Sequence, residues 1–374
     1  MKLIRRSWQG ALALLLCLAA LPLLPLLGPD AATAAGNGVT VLIFALIVGA
    51  ALVSFARLSA PILAAILFVG VYAAAWLLIG LLSGNEGHAT SAFFPLIAAS
   101  WLMAWRCVSA LSAVETRSAT TEALLRLLIP AIFGAWILIL WEAVTRGAGV
   151  PFILLPPPSA IGERLASSVP ILWADVRQTI FKAVLFGYIV GCAAGFVTAI
   201  LADRIAFLRR GLLPIGNLAS ALPIVGVAPI MVMWFGFDWQ SKAAVVIIMT
   251  FFPMLVNTVA GLSASGIMER DLMRSYASDY WQTLVKLRLP AAMPFIFNAL
   301  KINSTLALIG AIVAEFFGTP IVGMGFRIST EIGRMNVDMV WAEIAVAALA
   351  GSVFYGLVSL GERITTFWHP SNRS

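Results

Sequence analysis

Charge is scarce in this chain. Of its 374 residues, 11% are Asp, Glu, Lys or Arg, where an ordinary soluble domain carries about a quarter. Histidine is scarcer still, with only His88 and His369. The three cysteines, Cys17, Cys107 and Cys192, stand far apart, each inside an apolar run. That spacing makes no metal or redox motif and reads as buried structural thiols. There is no Gly-Lys dipeptide, hence no G-x-x-x-x-G-K-[ST] phosphate loop. H-E-x-x-H and G-x-S-x-G are missing too. These absences exclude an ATPase of the phosphate-loop kind, and leave an intramembrane metalloprotease or hydrolase little to stand on. No catalytic residue, metal site or cofactor is expected in the chain itself.

What it has in abundance is apolar length. Hydrophobic residues make up 61% of it and the mean hydropathy is +0.99, as in an all-α polytopic membrane protein. Ten apolar runs read as spans: 11–28, 39–55, 60–82, 92–111, 127–144, 179–202, 212–235, 243–262, 292–313 and 340–360. The first follows Lys2, Arg5 and Arg6 and is either a signal segment or a retained first span, the second being favoured. The formal charge of +7 reflects orientation in a lipid bilayer, not a nucleic-acid partner. Placing both termini and residues 271–290 in the cytoplasm leaves only Arg146, Arg164, Arg177, Lys182, Lys242, Arg327 and Arg334 on the other side. That bias has the sign of the positive-inside rule. The polar stretch 114–126 divides the chain into residues 1–126, with about four spans, and 127–374, with about six. Pro156-Pro157-Pro158 reads as an extended surface segment. Pro223, Pro229 and Pro253 fall inside expected spans, where prolines kink helices.

One polar interval breaks the second section, Asp271 to Pro290, within a loop spanning 265–291. Hydrocarbon cannot satisfy its charges and backbone, so it lies in water. Leu272, Tyr276, Tyr280, Leu284 and Leu287 recur at steps of three and four, one face of a helix. That face lies on the membrane or neighbouring helices, or docks to another protein. Periodicity does not choose between them.

The loop resembles the EAA loop of ABC-importer permeases, and within them the sulfonate, nitrate and taurine branch. Ala277-Ser278, Gln282-Thr283, Leu287 and Leu289-Pro290 stand at motif positions. Asp271-Leu272-Met273 replaces EAA, and Ala277 replaces a glycine, which predicts a straighter helix there because Ala is the better helix former. Further pieces continue the likeness in order: Leu155 to Ser159, Ala221-Leu222-Pro223, Ala228-Pro229, Trp234 to Phe237, Phe251-Phe252-Pro253, Val313-Ala314-Glu315, Gly323-Met324-Gly325 and Trp368-His369. The likeness runs from about Leu127 to His369. It has no counterpart for the first 120 or so residues.

The resemblance implies a six-helix type I importer core in a bacterial inner membrane, preceded by extra helices. It implies a permease homodimer, a pair of ABC ATPase subunits that bind ATP and magnesium, and a periplasmic binding protein. The cargo implied is a small solute such as a sulfonate, nitrate or taurine, with pyrimidine precursors and vitamins also handled by similar permeases. The expected ATPase-docking residues are Ala277, Ser278, Tyr280, Gln282, Leu284 and Pro290. Glu142, Met231, Trp234 and Glu315 are path candidates. For the acids, pairing with Arg146 or Arg327 is the plainer reading, and for Met231 and Trp234 simple packing. The rival reading of the whole is a secondary carrier or channel that does not use ATP.

Overall fold

The structure is a computed structural model and describes residues 7–29, 31, 37–114, 116, 118–219, 223–318 and 321–368. Lys2, Arg5, Arg6, Ala221, Leu222 and His369, used above, lie outside the described residues. Those described are almost wholly helical. Seven helices are long and apolar enough to cross a membrane, and three shorter apolar helices accompany them.

Contacts divide the chain into two compact units, Met1–Gly162 and Glu163–Ser374. The first holds α1 (Trp8–Ala20), α2 (Asn37–Val53), α3 (Ala60–Leu82), α4 (Phe93–Ser112) and α5 (Ala119–Gly147). Ser7 opens α1 as an N-cap, its Oγ accepting from the Gly10 N–H at 3.0 Å. The buried face of α1 carries Gly10, Ala13, Cys17 and Ala20, small residues that allow close packing, Gly10 against the end of α2 at Ala51 and Ser54. Cys107 on α4 donates to the Ala64 carbonyl of α3 at 3.3 Å. By packing, α5 belongs with α3 and α4, although the sequence groups residues 127–144 with the second section.

The second unit is framed by two helices of 36 residues, Val169–Arg204 and Tyr280–Glu315. At ~1.5 Å per residue each is about 54 Å long, well beyond the ~30 Å of bilayer hydrocarbon. The first comprises α7 (Val169–Val176), a π-helical stretch Arg177–Val184 and α8 (Leu185–Arg204). The span expected at 179–202 therefore starts at Val169, because Pro170 sits in the first turn, where its missing N–H costs nothing. Pro158 likewise opens α6 (Pro158–Ser167), so only the residues before it are extended. A second correction concerns 212–235. It is not one span but two helices, α9 (Ala206–Ala219) and α10 (Ile224–Phe235), with Pro223 as the N-cap of α10. Pro223 itself is extended, with ψ of 116°, and so starts α10 afresh.

Between α8 and α11 (Trp239–Ser263) the contact runs over Gly187, Gly191 and Gly195. A Cβ on Gly191 would stand 2.8 Å from the Ile247 carbonyl, and one on Gly195 2.5 Å from that of Phe251. The third glycine, Gly187, faces Val246 and the Ala243 carbonyl just as closely. Spacing by four puts all three on one face, so the two backbones touch. Asn303, within the second long helix, donates to the Thr250 carbonyl of α11 at 2.8 Å and to Cys192 of α8 at 3.2 Å.

Candidate functional site

The polar loop is not one helix. After α11 come α12 (Ile267–Ser275), a turn, and α13 (Tyr280–Thr283), which runs through a π-helical stretch Leu284–Arg288 into α14 (Leu289–Glu315). The turn is a Schellman closure: the Ala277 N–H donates to the Arg274 carbonyl at 2.9 Å and the Ser278 N–H to the Met273 carbonyl at 3.0 Å. It requires a left-handed residue, and Ala277 has φ of +50°. The straighter helix expected from alanine is thus overturned. The bend is kept, and alanine bears the strain that glycine would not. Asp279 then starts the next helix in a capping box, Gln282 N–H to Asp279 Oδ1 at 2.6 Å and Asp279 N–H to Gln282 Oε1 at 3.3 Å. Replacing Ala277 by glycine is expected to raise thermal stability by about 1 kcal/mol and leave the bend in place. A melting curve of the purified protein checks it.

This break splits the expected apolar face. On α12 and its C-cap, Met268, Leu272 and Tyr276 form a stripe spaced by four, and Met268 and Tyr276 are 85% and 78% exposed. Leu284 is 3% exposed and packs with Val184, Tyr188 and Ala292 in the core, so it is not on the surface where the sequence placed it. Of the other residues expected there, Ala277 and Gln282 are exposed, while Ser278, Tyr280 and Pro290 are half-buried.

Tyr280 has a different partner. Its hydroxyl donates to Asp203 Oδ2 at 3.0 Å, and Asp203 also takes both Nη atoms of Arg288, at 2.7 and 2.6 Å. Arg288 Nε donates to the Leu262 carbonyl near the end of α11, at 2.9 Å. Arg204 lies over the rings of Tyr280 and Trp281 at 5.6 and 5.5 Å. A bidentate arginine–carboxylate pair is both strong and directional. This one welds α8, α11 and α14 together at the root of the loop. Neither Asp203 nor Arg288 stands out in the sequence, being 85 residues apart. The one signal available was an acid at the end of an apolar run facing a loop rich in cations.

At the far ends of the same two long helices lies a second polar cluster. Thr179 is 24 residues before Asp203, about 36 Å away along the helix. There α15 (Met324–Gly333) begins with three N–H groups held by buried side chains. The Gly323 N–H donates to Asp175 Oδ1 (2.6 Å), that of Met324 to Thr179 Oγ1 (2.9 Å) and that of Gly325 to Glu315 Oε2 (2.7 Å). Thr179 donates to the other oxygen of Glu315 at 2.8 Å. A Cβ at Gly323 would stand 2.9 Å from the Glu315 carboxyl. Arg327 on α15 pairs with Asp175 at 2.9 Å. Lys242 on α11 donates to the Phe237 carbonyl at 2.6 Å and to the Gly318 carbonyl. Both π-helical stretches lie at these two clusters, carrying Thr179 and Arg288. Such widened turns are frequent at functional sites.

Of the four path candidates, one lies in the first unit and three in the second. Glu142 is in the first unit, ion-paired to Arg146 Nε at 2.6 Å and accepting from Ser159 Oγ and N–H at 2.6 and 2.9 Å. Its pairing with Arg146 is the plainer of the two expectations. Glu315 belongs to the α15 cluster, but Arg327 pairs with Asp175 and not with it. Met231 is buried against Ala228, Val245 and Ala314, whereas Trp234, on the same helix, is 71% exposed.

Residues 183–365, which hold both clusters except for Asp175 and Thr179, match the family described as the inner membrane component of binding-protein-dependent transport systems. Over 240 residues the chain is 30% identical to a riboflavin transport system permease protein of Chloroflexus aurantiacus, covering 63% of this chain and 88% of that one. It is 29% identical over 222 residues to a probable ABC transporter permease protein of Haemophilus influenzae, 59% of this chain and 90% of the relative. With a putative aliphatic sulfonates transport permease protein of Bacillus subtilis it shares 28% over 249 residues, 66% and 87%. The helical membrane architecture of the described residues, the lack of a phosphate-loop motif in the sequence and these matches agree: the chain belongs to the inner-membrane permease subunits of binding-protein-dependent ABC importers.

Proposed function

We propose that the chain works as a homodimeric permease, driven by two separate ATPase subunits that hold the ATP and magnesium and dock on the exposed stripe of α12. The observation that carries this reading is that stripe, Met268, Leu272 and Tyr276, standing on a root locked by Asp203 and Arg288. An apolar face so exposed on a polar loop has a partner. A push on α12 is then delivered to α8, α11 and α14 together, because the loop is braced against all three. Alternating access follows as rigid movement of those helices. The loop lies in the cytoplasm, as the distribution of Lys and Arg supports, and a binding protein delivers cargo at the opposite face. Exposed Trp234 is our candidate for facing the path or the second copy.

The cargo is a small solute. Relatives are named for riboflavin, formylaminopyrimidine, aliphatic sulfonates, taurine and bicarbonate. The test is uptake of that panel in membrane vesicles loaded with ATP, with and without a proton or sodium ionophore. ATP-dependent uptake of one member that survives the ionophore is expected. Uptake that needs the ion gradient and ignores ATP would point to a secondary carrier.

A further inference from the structure

Packed against α15 are the buried carboxyls of Asp175, Glu315 and Glu343 and the buried Lys242, while α15 itself carries half-buried Arg327 and buried Glu331, the latter held by Arg334 and Asn336. Asp175 and Glu315 have both oxygens engaged. Glu343, on α16 (Val337–Thr365), is fully buried and neither of its oxygens receives a hydrogen bond. It lies within hydrogen-bond reach of the carboxyl of Asp175, a contact that two carboxyls make only by sharing a proton, and within electrostatic reach of Arg327. A buried carboxyl whose one polar contact is another carboxyl, with no cation or N–H on it, is costly when ionised. Its presence is accounted for if another arrangement of the same elements supplies the donor. Arg327 is carried by α15, a ten-residue helix preceded by Gly318 and Gly323, both at φ of +145°. These glycines let the segment re-aim without moving the long helices.

We propose that Arg327 is a two-position residue, held by Asp175 in the arrangement seen here and passed to Glu343 when α15 moves. The helix then has two ion-paired seats, at the end of the unit away from the docking loop. Asp175 keeps the Gly323 N–H in either seat, so the exchange strands only one acid at a time. Bistable pairs of this kind give a conformational change two defined end states. The inference rests on the transport reading only in assigning the movement to the transport cycle.

The exchange is tested on the purified full chain, without ATPase or cargo, so its failure and the failure of the transport reading are separate results. Ile328, buried on α15, is replaced by cysteine and labelled with a membrane-impermeant maleimide; the native cysteines are buried. Labelling then reports how often α15 leaves its seat. Glu343→Gln keeps the observed seat and removes the other, so labelling is expected to slow with no loss of thermal midpoint. Asp175→Asn favours the second seat and speeds labelling. In the double variant Arg327 has no carboxylate at either seat, and the midpoint falls well beyond the sum of the single changes. Labelling of Glu343→Gln at the wild-type rate would overturn the proposal, even if Asp175→Asn does not fold. So would a Glu343→Gln effect that is the same with or without Asp175, since the two acids would then not compete for Arg327.

Discussion

Gly191→Leu is expected to leave no folded protein. The α8 and α11 backbones meet at this residue, and a single added carbon would already stand 2.8 Å from the Ile247 carbonyl. Overpacking of a side-chain core typically costs about 1–3 kcal/mol because neighbouring side chains can shift. Here the obstacle is a helix backbone, so the helices must separate. With them go the Asn303 bond to Thr250 and the neighbouring contacts at Gly187 and Gly195. The control is Gly134→Leu on α5, where an added Cβ would meet nothing within 4 Å. Size-exclusion profiles in detergent check both: an aggregate for the first, an unchanged peak for the second. A monodisperse Gly191→Leu protein would mean that the contact is not close in the membrane.

Asp203→Asn should be nearly as damaging, and should damage function more than fold. The pair it breaks is largely shielded from water, with side-chain exposure of 3% for Asp203 and 14% for Arg288. Breaking a buried pair from one side costs about 3–5 kcal/mol, because the remaining charge is left without its partner. The figure here is towards the low end, since Arg288 retains the Leu262 carbonyl. In the variant α12 and α13 are no longer braced against α8. ATP hydrolysis by a bound ATPase is expected to continue while uptake falls. Tyr280→Phe removes one hydrogen bond of the same group and should cost only about 1 kcal/mol. Exchanging the charges, Asp203→Arg with Arg288→Asp, should restore part of the stability. If Asp203→Asn couples hydrolysis to uptake as the wild type does, the root of the loop is not a mechanical joint.

The membrane architecture was open to reading because apolar length and the lack of charge are properties of the chain itself. The polar loop was legible for the same reason, set off by composition on both sides. Within it, helical periodicity was misleading. Tyr276 and Tyr280 fit one stripe by spacing, yet the left-handed Ala277 between them turns the second helix away and sends Leu284 into the core. A clue was present in the glycine that stands at this position in the resembling loops. Only the backbone closure, with two bonds back to α12, explains why that position favours glycine. The two polar clusters were hidden for another reason. Asp203 with Arg288, and Thr179 with Glu315, are partners 85 and 136 residues apart, and no local pattern marks such pairs. Glu315 was legible as an intramembrane acid, but not its task of holding the start of α15.

The most direct test of the account is co-purification of the cognate ATPase with the solubilised chain, comparing wild type with the double change Met268→Asp and Leu272→Asp. Both residues are exposed, so the variant should fold with an unchanged melting midpoint. The account predicts two ATPase subunits per permease dimer for the wild type, and none for the variant. Equal ATPase capture by the two forms would contradict the claim that the α12 stripe is where the motor engages.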